Sequence, residues 1–393
     1  MLIYLSAGEL SGDHLGASVA TALKALEPEI QLQGYGGPEM EQAGVHILYP
    51  LPSLAIMGFV RVIKHIPTLR KLLRKTERYL AETRPDAVVL IDYPGWHFVV
   101  ARAARRLGIP VVQFVAPQVW AWAPWRIRKI QRRIDRLLVV LPFEEVYFRD
   151  RGVEARYVGH PLIERLARAE ADLPPPTPDS PPMVGILPGS RIQEWRRLLP
   201  VFTEVFESLR KDRPHLTARV ACASKDFRSD MEALVQRCAS CARVEVDATH
   251  RIQRDATLVL TSSGTSTLEC TYFRTPMVVA YPVGVLAGLG ARIMVTAPYI
   301  TLANLLAGRD VVPEFLFTGR IAPRIAVAAA EILDNPARRA AIVDGLDHVR
   351  SSLVGTDPSV SAAKEILDLV ASPDLTSRTA RQTPGSRAAP PRP

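Results

Sequence analysis

Short apolar runs alternate with longer stretches of helical periodicity from the first residues onward. Leu2-Ile3-Tyr4-Leu5 leads through a Gly/Ser turn into a helical pattern over residues 15–26. Residues 87–91 contain Val88-Val89-Leu90-Ile91, the continuous apolar signature of a strand covered on both faces. Strand-like runs recur at 111–115, 137–141 and 156–158. Proline then crowds residues 169–182, including Leu173-Pro174-Pro175-Pro176-Thr177-Pro178, at a density that neither helix nor sheet tolerates. A second series of strand-like runs follows at 183–187, 217–222, 258–261 and 277–281. This alternation predicts an α/β chain of two Rossmann-like doubly wound domains facing a central cleft. The expected boundaries are an N-terminal domain at 1–168, a linker at 169–182 and a C-terminal domain at 183–371. The last helix of the latter is a candidate to cross back onto the first domain. Residues 372–393 are rich in Pro, Ser, Thr and Arg and are expected to be disordered.

Open parallel sheets bind ligands beyond the carboxyl ends of their strands, so the chemistry is expected in four loops. The first contains Glu9, Ser11, Gly12 and Asp13. Its glycines do not follow the dinucleotide fingerprint. Ser11 suits a helix cap, and the two acids beside glycines suit a polyhydroxy ligand. The second loop is Asp92-Tyr93-Pro94-Gly95-Trp96-His97, directly after the apolar run. A carboxylate at a buried strand end can act as a general base, whereas His97 is ambiguous, a lone histidine being more often packing or surface than catalytic. In the third loop, Gly189, Ser190 and Arg191 offer backbone amides and a guanidinium to a pyrophosphate. In the fourth, Ser263, Gly264 and Thr265 open a second phosphate-competent helix, with Glu269 one turn on to accept from ribose hydroxyls.

Composition is that of a globular protein, with 48% hydrophobic and 23% charged residues. No apolar run reaches the length of a membrane-spanning helix, and Met1-Leu2-Ile3-Tyr4 does not read as a secretory signal. Four cysteines in 393 residues suit a reducing cytoplasm, and Cys238-Ala239-Ser240-Cys241 lacks a second ligand pair for zinc. The net charge of +9 is the unusual value, and it favours an anionic partner. It is unevenly spread: residues 54–75 carry +6, residues 102–136 carry +8 and the tail carries +3, which leaves −8 elsewhere. Within 54–75, Phe59, Val60, Val62, Ile63 and Ile66 accompany six basic residues and no acid, a pattern suited to an anionic membrane surface. Trp120, Trp122 and Trp125 beside a basic helix raise nucleic acid as an alternative partner, without an RNA-binding motif around them.

Taken in order, these segments resemble the lipid-A-disaccharide synthase family, glycosyltransferases of the two-domain B fold. The resemblance runs through Ala7-Gly8-Glu9 with Ser11-Gly12-Asp13, Met57-Gly58, Ile91-Asp92-Tyr93-Pro94 and Pro117-Gln118-Val119-Trp120-Ala121-Trp122. It continues through Leu141-Pro142-Phe143-Glu144, Gly159-His160, Leu187-Pro188-Gly189-Ser190-Arg191, Ser263-Gly264-Thr265, Leu268-Glu269 and Asn304-Leu305-Leu306-Ala307-Gly308. It implies a UDP-2,3-diacylglucosamine donor, a 2,3-diacylglucosamine 1-phosphate acceptor, and an inverted β-1,6 disaccharide product. It further implies Asp92 as general base and, with it, Glu9 and Arg191 in the catalytic set, Arg191 at the departing pyrophosphate. Ser11, Gly12, Asp13, Gly189, Ser190, Ser263, Gly264, Thr265, Glu269 and Asn304 match substrate-binding positions. No metal or other cofactor is implied, since arginine and helix dipoles can stabilise the leaving group. Members usually read Asp-x-Pro-Asp-Phe-Asn where this chain has Gly95, Trp96 and His97, so the second acid is missing. In the stretch 282–295, where relatives carry several basic residues, Arg292 alone remains.

The implied setting is cytoplasmic, peripheral to the inner membrane, without nucleic acid and with a homodimer left open. Alternatives are another UDP-N-acetylglucosamine enzyme of the same fold, either an epimerase or a soluble transferase, or a nucleic-acid-binding protein. The apolar-basic stretch separates the first of these, and salt-steep binding to generic DNA or RNA the second.

Overall fold

The computed structural model describes residues 1–54, 66–175, 181–238, 241–283 and 298–372. Seven strands form one parallel sheet: β1 (Leu2–Ala7), β2 (Gln31–Tyr35), β3 (His46–Tyr49), β4 (Ala87–Ile91), β5 (Val111–Phe114), β6 (Arg136–Val139) and β7 (Ala155–Tyr157). Their order is β3-β2-β1-β4-β5-β6-β7. A second parallel sheet contains β8 (Met183–Leu187), β9 (Thr217–Cys222), β10 (Ala242–Val246), β11 (Leu258–Ser262), β12 (Met277–Pro282) and β13 (Glu314–Phe317), in the order β10-β9-β8-β11-β12-β13. The chain is therefore α/β with two doubly wound sheets.

Central strands are the apolar runs. Val88, Val89, Leu90 and Ile91 of β4 are wholly buried, as are Val184 and Ile186 of β8 and Leu258, Val259 and Leu260 of β11. Each such side chain removed from water contributes about 1.5–3 kcal/mol, which fixes these strands in the sheet interiors. Strands β2 and β10 mix polar with apolar positions and β3 and β13 carry apolar runs of only three residues, as suits strands at or next to sheet edges. His46–Tyr49 and Glu314–Phe317, for instance, contain no fully buried residue.

The chain divides into two compact units, Met1–Val119 with Ala123–Pro161 and Thr356–Pro393, and Trp120–Trp122 with Leu162–Gly355. The helix Pro161–Ala171 thus belongs to the second unit from Leu162 onward, earlier than a boundary at the proline-rich stretch would put it. Leu162, Ile163 and Leu166 explain this, since they pack with Leu268, Tyr272, Val349 and Leu353 of that unit. The last helix, Pro358–Ala371, belongs to the first unit. It packs against the helix Leu10–Leu26, and Arg136 donates to Glu365 at 3.0 Å and to Asp368 at 2.8 Å. Residues 176–180 of the linker and 373–393 of the tail lie outside the described residues.

Candidate active site

In both sheets the strand order reverses once, between β1 and β4 in the first and between β8 and β11 in the second. A doubly wound sheet opens a crevice where its helices diverge to opposite faces, at such a switch point. The four loops singled out by sequence follow these four strands.

In the first unit, Ala7 pairs with Ile91, so the two chains leave the sheet side by side. Helix Leu10–Leu26 starts directly after Glu9, earlier than the pattern over 15–26 suggests. Glu9 is its N-terminal flanking residue and makes no side-chain cap, and Ser11 is an exposed first-turn residue and not the expected cap. Across from it, Asp92 and Tyr93 both adopt left-handed backbone, with φ of 54° and 45°. For residues other than glycine this conformation costs about 1–2 kcal/mol each, so the surroundings must hold it. Gly8 is part of that hold: a Cβ there would lie 2.2 Å from Cδ1 of Tyr93, so only glycine admits the ring.

Both carboxylates of this crevice are raised, and Glu9 senses the charge on Asp92. Burial raises the Asp92 carboxyl above its ordinary value, against the pull of the Tyr93 amide. Burial also raises that of Glu9, and the charge on Asp92 adds to the effect. The Tyr93 phenol is raised by burial and by Glu9. A half-buried carboxylate held near its neighbour in this way is a stronger proton acceptor than a solvated one.

In the second unit, Leu187 pairs with Thr261, which brings the other two loops together. Gly189 has φ of 106°, and a Cβ there would meet Oε2 of Glu194 at 2.6 Å. Arg191 flanks the helix Ile192–Lys211, and its exposed guanidinium donates to Glu194 at 2.9 Å. An exposed pair three residues apart on a helix contributes a few tenths of a kcal/mol, about 0.2–0.5, so a pyrophosphate can displace it. Ser190 beside it is exposed. Gly264 precedes the helix Thr265–Phe273 without a side-chain cap, which leaves first-turn amides of Thr265 and Ser266 directed out of the helix. Ser263 steadies the turn by donating to the Ile300 carbonyl at 2.7 Å. Glu269 accepts from Gln253 at 2.9 Å, with Arg165 and His250 at 3.8 and 3.9 Å from its other oxygen. Burial opposes its charge, but His250, Gln253 and Arg165 outweigh it and hold its carboxyl below the usual range.

Two residues matched to substrate positions have other work. Asp13 is buried, and its carboxylate accepts from the amides of Gly37 at 2.7 Å, Glu39 at 3.1 Å and Met40 at 3.2 Å. It closes the start of the helix Pro38–Gln42. Asn304 is buried too, with Oδ1 accepting from Val311 and Val312 and Nδ2 donating to Val312 and Glu314. Both side chains bond within the fold, so their place in the structure is explained without a substrate contact. Asp13→Ala should lower the unfolding free energy by about 3 kcal/mol, since it strands buried amides that met a charge. Urea titration checks this, and unchanged stability would return Asp13 to the ligand contacts. Gly12 is buried where the first helix approaches β1 and β4, at 3.4 Å from Cβ of Ala7 for a hypothetical Cβ.

Of the apolar-basic stretch, Phe59, Val60, Val62, Ile63 and the Ile66 side chain lie outside the described residues, as does Arg292. The helix Ile66–Thr83 that ends it is amphipathic, burying Leu72, Thr76 and Leu80 and exposing Arg70, Lys71, Arg74, Lys75 and Arg78. Among the described residues no helix is long and apolar enough to cross a membrane.

The chain is similar to proteins of known kind along almost its whole length. It is 37% identical over 343 residues to the lipid-A-disaccharide synthase of Granulibacter bethesdensis, covering 85% of this chain and 86% of the relative. It is 36% identical over 376 residues to that of Pseudomonas aeruginosa, covering 94% and 98%. Among solved structures it resembles Acinetobacter baumannii MurG, with a TM-score of 0.57 at 15% identity over 94% of this chain and 98% of that one. It also resembles a UDP-N-acetylglucosamine 2-epimerase from Listeria monocytogenes described as putative, with a TM-score of 0.60 at 12% identity over 94% and 95%. These distant likenesses share the glycosyltransferase-B fold and say nothing of the reaction. The sequence relationship does: the model described as lipid-A-disaccharide synthetase matches residues 3–365, and with the relatives it shows that the chain belongs to the lipid-A-disaccharide synthase family.

Proposed function

We infer that the chain is an inverting glycosyltransferase that moves 2,3-diacylglucosamine from its UDP donor to the 6-hydroxyl of 2,3-diacylglucosamine 1-phosphate. The products are the β-1,6-linked disaccharide 1-phosphate and UDP. Membership of the family supports the reaction, and the observation that carries its assignment to residues is the half-buried Asp92, its carboxyl raised by burial, at the first switch point. Asp92 takes the proton of the acceptor hydroxyl as its oxygen bonds to the donor's anomeric carbon. The bond from that carbon to the β-phosphate oxygen breaks, and its electron pair leaves with UDP. Attack from the face opposite the leaving group turns the α donor into a β linkage.

Negative charge grows on the departing pyrophosphate, and the second unit supplies what meets it. Arg191 exchanges Glu194 for phosphate oxygens, while amides at Gly189, Ser190 and Thr265 donate from preset positions. Glu269, held ionised, accepts from the ribose hydroxyls. In the first unit Glu9 and Ser11 offer polar contacts to the acceptor sugar beside Asp92.

Both substrates carry acyl chains, so the enzyme must work at a bilayer. The exposed basic face of Ile66–Thr83 and the apolar residues before it suit the anionic cytoplasmic face of the inner membrane. Changing Val60, Val62 and Ile63 together to Ser should raise the membrane-free fraction with the urea midpoint unchanged. An unchanged membrane fraction would remove this stretch as the anchor. The assignment of reaction class is tested with UDP-N-acetylglucosamine alone: no epimer and no steady UDP release are expected, and efficient turnover of it would favour an epimerase or hydrolase.

A further inference from the structure

His97 is wholly buried, and its two ring nitrogens tie together the strands that bound the first switch point. Nδ1 lies 2.6 Å from the carbonyl oxygen of Asp92, and Nε2 lies 3.0 Å from Oγ of Ser6 in β1. A carbonyl oxygen only accepts, so Nδ1 carries the proton, and Nε2 then accepts from the Ser6 hydroxyl. Burial pushes the His97 imidazole down to about 4, so the ring is neutral across the working range of a cytoplasmic enzyme. The same Asp92 carbonyl accepts from Nε2 of Gln113 at 3.1 Å, and the Asp92 amide donates to Phe114 at 2.9 Å. The Tyr93 ring stands edge-on to His97 with centroids 6.0 Å apart.

These contacts converge on the two consecutive residues whose backbone is left-handed. Released from them, Asp92 and Tyr93 would relax towards ordinary backbone and swing the Asp92 carboxylate with them. We propose that His97 is a positioning residue, which bridges Ser6 to the Asp92 carbonyl and holds the strained Asp92–Tyr93 turn in the conformation that presents the Asp92 carboxylate to the acceptor hydroxyl. The proposal rests on Asp92 acting as the general base. It assigns to a residue outside the reacting centre a share of the rate with no share of donor binding, since the donor's nucleotide contacts belong to the second unit.

The test compares His97→Asn, His97→Gln and His97→Ala in the full-length enzyme, with kcat and the KM for donor measured in mixed micelles. The Asn amide reaches where Nδ1 lies and keeps the donor to Asp92, whereas the Gln amide reaches where Nε2 lies and keeps only Ser6. His97→Asn should retain kcat within about fivefold of the parent, and His97→Gln and His97→Ala should lose about 30- to 100-fold, because displacement of a catalytic group by about 1 Å costs that much. Donor KM should stay within about twofold throughout. Equal kcat for the Asn and Gln variants, or a rise in donor KM that accounts for the loss, would overturn the proposal. Should His97→Ala fail to fold, the Asn–Gln comparison decides alone. An inactive parent, or an Asp92→Asn variant of normal rate, would instead count against the assignment of Asp92.

Discussion

Asp92→Asn should lower kcat by about a thousandfold while the KM for the UDP donor changes little. The substitution keeps the size and much of the hydrogen bonding of the side chain but removes the acceptor of the hydroxyl proton. The strained turn survives it, because Gln113, His97 and Phe114 bind the Asp92 backbone and not its carboxylate. A second signature accompanies the loss. Burial raises the Asp92 carboxyl, so the base becomes protonated at a higher pH than an ordinary aspartate would. Parent activity should therefore fall as pH drops through that raised value, above the usual range for aspartate, and the residual rate of the Asn variant should lack this acidic limb. The same raised value has a stability counterpart of opposite sense: Asp92 binds its proton more tightly folded than unfolded, so its contribution to stability declines as pH rises between the two values. Steady-state rates across pH for both proteins check the first effect, and a near-normal rate for Asp92→Asn would remove it as the base.

Arg191→Ala should lower kcat by about a hundredfold, the scale of losing one preorganised donor to a developing negative charge. The side chain is exposed and pairs with Glu194 in the first turn of the helix it flanks, so its removal leaves the core of the second unit intact. The urea midpoint should accordingly be unaltered. Arg191→Lys should recover only part of the rate, since an ammonium supplies a point charge where the guanidinium supplies a planar fork. Single-turnover measurements separate these effects from product release. A lysine variant equal to the parent would show that charge alone suffices, and an alanine variant equal to the parent would move the leaving-group contact to the Thr265 turn.

The parts of this fold legible in the sequence are those in which burial is two-sided. Strands β1, β4, β8 and β11 read as apolar runs because each lies inside its sheet, and the loops beyond them were found because they follow such runs. Edge strands such as His46–Tyr49 and Glu314–Phe317 offer only three apolar or aromatic residues after a polar one, too short a run to announce a strand. The site divides along the same line. Asp92, Arg191 and Gly264 are recognisable from their position after a strand. The fates of Asp13 and Asn304 are not, since each is fixed by amides elsewhere: Gly37, Glu39 and Met40 for one, Val311 and Val312 for the other. His97 is ambiguous in sequence for the same reason. Its decisive partner Ser6 lies 91 positions away and meets it only because β1 and β4 pair. Gln253 and His250, which hold Glu269 ionised, likewise come from a neighbouring helix.

The most direct measurement incubates the purified chain with UDP-2,3-diacylglucosamine and 2,3-diacylglucosamine 1-phosphate in mixed micelles and follows both products. The account predicts one UDP for each disaccharide 1-phosphate, a β-1,6 linkage by NMR, and no steady UDP release when either lipid is omitted. Absence of disaccharide where a known synthase makes it, or an α linkage in the product, would contradict it.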